Sequence, residues 1–281
     1  MLLCNLSRAG DAISIGSTTF RLISKGIVRG IAVGMAIHEG IWLGLLREKS
    51  LQDVTADGYA ASGVFGSEAH NRRGLFNWER TAIETHFPAR SKVVIAAAGG
   101  GREALAIVAQ GFEVVAFDPD AKLIEECRKR RTAEEAQRLT LMTVPPNAVP
   151  EIGDAIFDAG IVGWGALSHM TSSRVRMEFL RAFAALLKPG APALISFHLR
   201  APRSRADSIR DVIAKGVAAI TLGRQPQPGD RFRIEDSASF LHLFTAEELR
   251  GEIEGGGFSV AHFAESPEAH VIAIRNRPSG G

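Results

Sequence analysis

Lys92-Val93-Val94-Ile95-Ala96-Ala97-Ala98-Gly99-Gly100-Gly101-Arg102-Glu103 is the stretch on which the fold of this chain turns. Its first half is a continuous apolar run, the pattern of a strand buried on both faces. Three glycines then remove side chains from a bend, so that the backbone amides stand bare. From Arg102 to Gln110, Leu105, Ile107 and Val108 fall at helical spacing, and Gly111 ends the segment. The stretch therefore reads strand, open bend, helix. The helix start adds free N–H groups and a partial positive charge to the space above the bend, which favours an anion.

The same alternation continues on the C-terminal side. Glu113 to Phe117 is a second apolar run, closed by Asp118-Pro119-Asp120, and Ala121 to Gln137 is a charged helix. Leu139 to Val144 and Phe157 to Val162 read as strands three and four. Val175 to Leu187 is a helix stopped by Lys188-Pro189-Gly190, and Ala193 to Phe197 is strand five. Strand and helix in turn predict an α/β fold, a Rossmann-like, doubly wound, mostly parallel sheet. Thr245 and Glu248 form a capping box opening a helix that ends at Gly255-Gly256-Gly257. Phe258 to Phe263 and Ala269 to Ile274 are joined by too short a link for a parallel crossover, so the sheet is expected to end in an antiparallel hairpin.

Residues 1–90 read as a helical N-terminal cap and substrate lid, with a polar break at Asn71 to Gly74 and a helix from Trp78 to His86. Residues 91–281 read as the Rossmann-like domain. An insertion at 199–238 carries Ile209, Val212, Ile213 and Ile220 on an expected amphipathic helix, followed by a loop marked by Pro226, Pro228 and Gly229. Its position suits a lid over substrate.

Composition narrows the function classes. The 33 Lys and Arg against 31 Asp and Glu leave a net charge of +2, which gives no electrostatic case for a nucleic-acid partner. Arg128-Lys129-Arg130-Arg131 follows Glu125 and Glu126 and reads as a solvated helix face. Two cysteines, Cys4 and Cys127, make neither a disulfide framework nor a metal knuckle, and a reducing cytoplasm is the expected compartment. The start is too short for a secretory signal. Gly26 to Leu46 is interrupted by Arg29, His38 and Glu39, so it reads as a buried helix or helix pair and no membrane partner is expected. No His or Cys spacing suits a metal.

Asp118 follows Gly101 by 17 residues, at the end of the second strand. In a parallel sheet it faces the glycine bend, where a carboxylate accepts the hydroxyl protons of a ribose. An adenosine-containing cofactor follows. Gly99, Gly101 and Ala104 also satisfy G-x-G-x-x-A, which keeps an NAD(P)-dependent oxidoreductase open. Tyr59 has Gly63 four places on, so a Tyr-xxx-Lys dyad is excluded, and the terminal hairpin departs from the dinucleotide pattern.

The chain resembles class I S-adenosylmethionine-dependent methyltransferases of the bacterial small-molecule type, over roughly residues 91–198 and 239–275. The resemblance rests on Val93 to Glu103, Val115-Ala116-Phe117-Asp118-Pro119, Phe157-Asp158-Ala159, Leu187-Lys188-Pro189-Gly190, and Gly163-Trp164-Gly165-Ala166-Leu167-Ser168-His169. Glu39 to Leu46 and Asn71 to Glu79 are also similar to that group. The resemblance implies S-adenosylmethionine as cofactor and a binding set of Ala97, Gly99, Gly101, Glu103, Asp118, Pro119, Thr143, Val144, Gly163 and Trp164. In that set Asp118 takes the ribose, Pro119, Thr143 and Val144 flank the adenine, and Gly163 and Trp164 lie by the methionyl end. The chain departs from the family at Ala97, which replaces its first glycine, and at Ile95, which replaces an acidic residue. The acidic residue often found after strand three is also absent. These departures leave open a non-catalytic methyltransferase-like binding module.

Methyl transfer to a hydroxyl wants a general base, and histidine suits neutral pH. His198 and His169 follow strands five and four, at the edge where open α/β sheets bind ligands, and His242 precedes the capping box. Each could equally be an ordinary hydrogen-bonded residue. The expected function is methyl transfer to a small-molecule acceptor, oxygen slightly favoured over nitrogen, without a metal, by a chain able to act as a homodimer.

Overall fold

The computed structural model describes residues 3–153, 156–233 and 238–277, with side chains from residue 17 onward, so the Cys4 side chain lies outside the described residues. Four helices come first: α1 (Leu3–Leu45), α2 (Glu48–Ser62), α3 (Glu68–Asn71) and α4 (Asn77–His86). Then β1 (Lys92–Ala96), α5 (Arg102–Val108), β2 (Glu113–Asp118), α6 (Ala121–Arg130), β3 (Leu139–Thr143) and β4 (Ala159–Val162) alternate as expected. After them run α7 (Ser173–Leu186), β5 (Pro192–Ser196), α8 (Arg205–Thr221), β6 (Asp230–Arg233), β7 (Ser239–His242), α9 (Ala246–Gly255), β8 (Phe258–Ala264) and β9 (His270–Arg275).

Seven strands form one sheet in the order β3-β2-β1-β4-β5-β9-β8. The first five are parallel, and β9 enters antiparallel between β5 and β8. β1, β4 and β5 are buried almost throughout, which explains their uninterrupted apolar sequences. One core cluster joins Val94, Phe117, Phe183, Ile195 and Phe258, and the other joins Ile83, Ile95, Ile107, Ile161 and Ile272. The Thr245 hydroxyl and Glu248 carboxylate close the anticipated capping box at the start of α9. On α6, Arg128 and Lys129 pair with Glu125 and Glu126 on a solvated face, whereas Arg130 turns in to the Gly66 carbonyl and Arg131 to the Leu139 carbonyl, a correction to the expectation for all four.

The chain divides into two compact units, Met1–Leu46 with Pro202–Pro228, and Arg47–Ala201 with Gly229–Gly281. In the first unit, the end of α1 packs on α8. A Cβ on Gly40 or Gly44 would lie 2.6 Å from the Arg210 or Ala214 carbonyl, so glycine permits the close approach. The Arg210 guanidinium, buried there, meets Asp207, Asp211 and Glu39.

Three expectations need correction. Of Gly26 to Leu46, all but Leu46 is part of one long helix, and much of it is exposed rather than buried, because α8 covers only a narrow face near its end. Val212 and Ile220, expected on a buried face of α8, are exposed. Residues 230–242 contain a two-stranded antiparallel ribbon, β6 with β7, in place of a plain loop.

The bend after β1 shows what each glycine is for. Gly101 has φ +94°, and a Cβ there would lie 2.2 Å from Cys127 Sγ on α6. Replacing Gly101 with alanine therefore adds left-handed strain of about 1–2 kcal/mol and a steric clash of about 1–3 kcal/mol. Urea unfolding of Gly101→Ala should show a loss of about 2–5 kcal/mol, and that loss should shrink in a Cys127→Ala background.

Candidate active site

Asp118 ends β2 and is buried. Its Oδ2 accepts the Gly99 N–H at 2.9 Å and its Oδ1 accepts the Asp120 N–H at 2.8 Å. Burial pushes its pKa up, and the two N–H donors oppose that shift. A carboxylate has about four acceptor sites, so two remain for a ligand's hydroxyls. Thr143 stands in register with Asp118 on the neighbouring strand, exposed like Pro119, with Val144 buried beside it.

Gly99 is the open position of the bend. It has φ +53°, and a Cβ there would meet nothing within 4 Å. Gly101 is glycine for the sake of Cys127, and Gly100 for Asn71 and the Phe65 carbonyl, each 2.5 Å from where its Cβ would be. Gly101 thus has a packing role beside the expected one of clearing the way for a ligand. Ala97 holds φ +55°, a left-handed conformation that costs a side-chain-bearing residue energy. Its carbonyl lies 2.5 Å from where a Cβ on Gly163 would stand, so β4 leaves the sheet hard against the bend.

Asn71 was not in the sequence-derived set. Its Nδ2 donates to the Phe65 and Ser67 carbonyls, while its Oδ1 is buried without a hydrogen-bond partner. An unpartnered buried acceptor beside Gly100 fits a ligand donor arriving there. The clue in the sequence was a lone amide in the polar break before α4.

Arg102 is buried beneath the bend. Its guanidinium bonds both Glu79 oxygens, the Gly74 carbonyl and Glu103, and it lies 4.3 Å from the Phe76 ring centroid. Glu103 is thereby spent on Arg102, although burial pushes its pKa up to about 7 against the pull of that cation. Together with Gly163, Trp164, Trp78 and Ser196, it lines a narrow cleft.

Beyond β4, Trp164 stacks on His70 at 5.7 Å and packs against Phe65 and Phe76. Tyr59 lies 4.7 Å from Phe65 and 5.1 Å from His169, and His169 lies 6.3 Å from His198, all between ring centroids. The only tyrosine of the chain, read from sequence solely as an exclusion, thus belongs to the cluster. A Cβ on Gly165 would lie 2.7 Å from His198 Nε2, so this glycine makes room for the imidazole. Burial, helped by the Arg233 charge, lowers His198 to about 4, and burial likewise lowers His169 to about 4. His169 Nδ1 stands 2.7 Å from the Phe240 carbonyl. A carbonyl only accepts, so Nδ1 carries the proton and the Nε2 lone pair is free.

His242 does not join them. It is fully buried in β7, with Nδ1 2.8 Å from Asp230 and Nε2 3.1 Å from Glu248. Both ring nitrogens are taken, which removes it from the general-base candidates. Among the described residues, no cluster of His, Cys, Asp or Glu is placed to hold a metal, and no helix is long and apolar enough to cross a membrane.

Residues 93–190 match the family model described as a methyltransferase domain. No curated protein matches the chain. Among solved structures, an S-adenosylmethionine-dependent methyltransferase from Methanosarcina mazei aligns with a TM-score of 0.58 at 14% identity, over 73% of this chain and all of its own. The amino pentose methyltransferase CalS10 from Micromonospora echinaspora, solved with S-adenosylmethionine, gives 0.52 at 15%, over 74% and 95%. The glycopeptide N-methyltransferase MtfA, solved with S-adenosylhomocysteine, gives 0.52 at 16%, over 70% and 88%. At such identities the likeness establishes the Rossmann-like methyltransferase fold.

The His242 site sets a pH dependence. The Asp230 and Glu248 carboxylates outweigh burial and raise the His242 pKa. A raised folded-state pKa gives stability that is full below about 6.5 and is lost as pH climbs through the folded value. Urea midpoints should therefore fall on that account above pH ~6.5, and His242→Gln should lose that part of the slope.

Proposed function

Starting from the methyltransferase domain that residues 93–190 constitute, we propose that the chain transfers a methyl group from S-adenosylmethionine to a hydroxyl-bearing small molecule. The observation that carries this reading is the His169 imidazole, neutral and fixed by the Phe240 carbonyl with Nε2 free, inside an aromatic cluster next to the post-β4 segment. The structures it resembles include methyltransferases acting on a glycopeptide and an amino pentose, which supports a small, polar acceptor.

The described residues fit the cofactor. Gly99 is open, Asp118 keeps two acceptor sites for the ribose hydroxyls, and Asn71 Oδ1 is an unpartnered acceptor for an ammonium proton at the methionyl end. Thr143, Val144 and Pro119 would flank the base, while Gly163 and Trp164 would lie by the methionyl group. When bound, the cofactor supplies an electrophilic methyl on a cationic sulfur. The remaining work is alignment and exclusion of water, for which the aromatic rings around Trp164 and Tyr59 are suited. His169 Nε2 takes the hydroxyl proton as the acceptor oxygen closes on the methyl, with His198 beside it as the alternative base.

Calorimetry tests the cofactor first. S-adenosylhomocysteine should bind, and Asp118→Ala should weaken it by about 10–100-fold, the worth of charged hydrogen bonds of about 1.5–3 kcal/mol. Heat with NADH and none with S-adenosylhomocysteine would return the oxidoreductase reading. For the reaction, both imidazoles stay neutral far below the ordinary histidine range. The acid limb of kcat/KM with a hydroxyl acceptor should therefore fall near pH ~4 rather than ~6.5. His169→Ala should lower kcat by about 100-fold or more.

A further inference from the structure

Helix α1 (Leu3–Leu45) has a face that nothing in its own unit covers. Phe20, Leu22, Ile27, Val28, Ile31 and Met35 are each at least 58% exposed. Such a cluster on one element is far from the scattered apolar surface of an ordinary domain. A helix that is apolar around most of its circumference needs an apolar surrounding.

The charges on this segment have one sign. No acidic residue occurs between Asp11 and Glu39, whereas Arg21, Lys25 and Arg29 recur every fourth position. At 3.6 residues per turn these three occupy an arc of about 80°. The apolar side chains from Leu22 around to Val28, with Gly26, Gly30, Gly34 and Ser24 between them, span the opposite arc, about 240° wide. One packed helix covers a stripe of about 100°, so a second copy of α1 would leave more than half of this arc in water. A bilayer interface has no such limit of width, and it pairs an apolar bed with anionic headgroups for the three cations. Trp42, half-exposed further along the same helix with its indole N–H donating to His38 Nε2, is a side chain suited to the headgroup level.

From these observations we infer that α1 binds the surface of an anionic membrane, lying in the interface with its wide apolar arc in the acyl boundary and Arg21, Lys25 and Arg29 among the headgroups. This mode needs no spanning segment, in keeping with the absence of one among the described residues. It departs from the expectation of no membrane partner and stands independently of the methyl-transfer reading.

The test is sedimentation of the full chain with vesicles of phosphatidylcholine alone or mixed with phosphatidylglycerol, at low and high salt. The chain should pellet with the mixed vesicles, more weakly at high salt. Arg21→Gln/Lys25→Gln/Arg29→Gln should bind about 100-fold less tightly, at about one e-fold-and-a-half per cation near an anionic surface. Ile27→Ser/Ile31→Ser should lose binding at every salt concentration. These positions are exposed, and unchanged thermal melting of both variants checks their folding. Undiminished binding by the triple variant, or equal binding to both vesicle types, would overturn the inference. So would no pelleting with either together with a scattering mass of two chains, which would assign the face to a second copy.

Discussion

A single backbone amide holds the carboxyl edge of the sheet in working order. Gly99 N–H donates to Asp118 Oδ2 and so ties the bend after β1 to the end of β2. Without that bond and its companion from Asp120, a carboxylate this deeply buried would be costly to keep charged. With them it is fixed in one orientation. The strained Ala97 backbone and the bare Gly99 both serve this geometry, the first by turning the chain and the second by leaving it uncovered.

Two buried arginines brace the surroundings. Arg102 gathers Glu79, Glu103 and the Gly74 carbonyl under the bend, and Arg176 grips Glu252 with two bonds of 2.6 Å, joining α7 to α9. Pairs like these contribute little net stability over apolar packing, yet losing one partner strands a buried charge. Their value here is positional: α4, α5 and α7 cannot slide without separating charges in a dry interior.

The parallel strands were legible because burial on both faces writes an unbroken apolar run, and the glycine bend because nothing else tolerates its backbone. Asp118 was legible from topology alone. Other features depend on partners distant in sequence. Gly101 is explained by Cys127, Gly100 by Asn71, and His242 by Asp230 directly across the β6–β7 register. No local pattern announces such pairings. β6 itself, Asp-Arg-Phe-Arg, lacks the alternation that would mark it as a strand. The apolar content of α1 was read as burial, since sequence records what a helix prefers and not what lies beside it.

Cys127 gives the bend a built-in reporter. Its thiol is buried against Gly101, and burial pushes its pKa up to about 11. Alkylating reagents attack the thiolate, so in the closed molecule this sulfur is chemically silent. It reacts only when α6 lifts away from the glycines, which makes the labelling rate a clock for the breathing of the cradle, and any ligand that clamps the cradle shut must slow it.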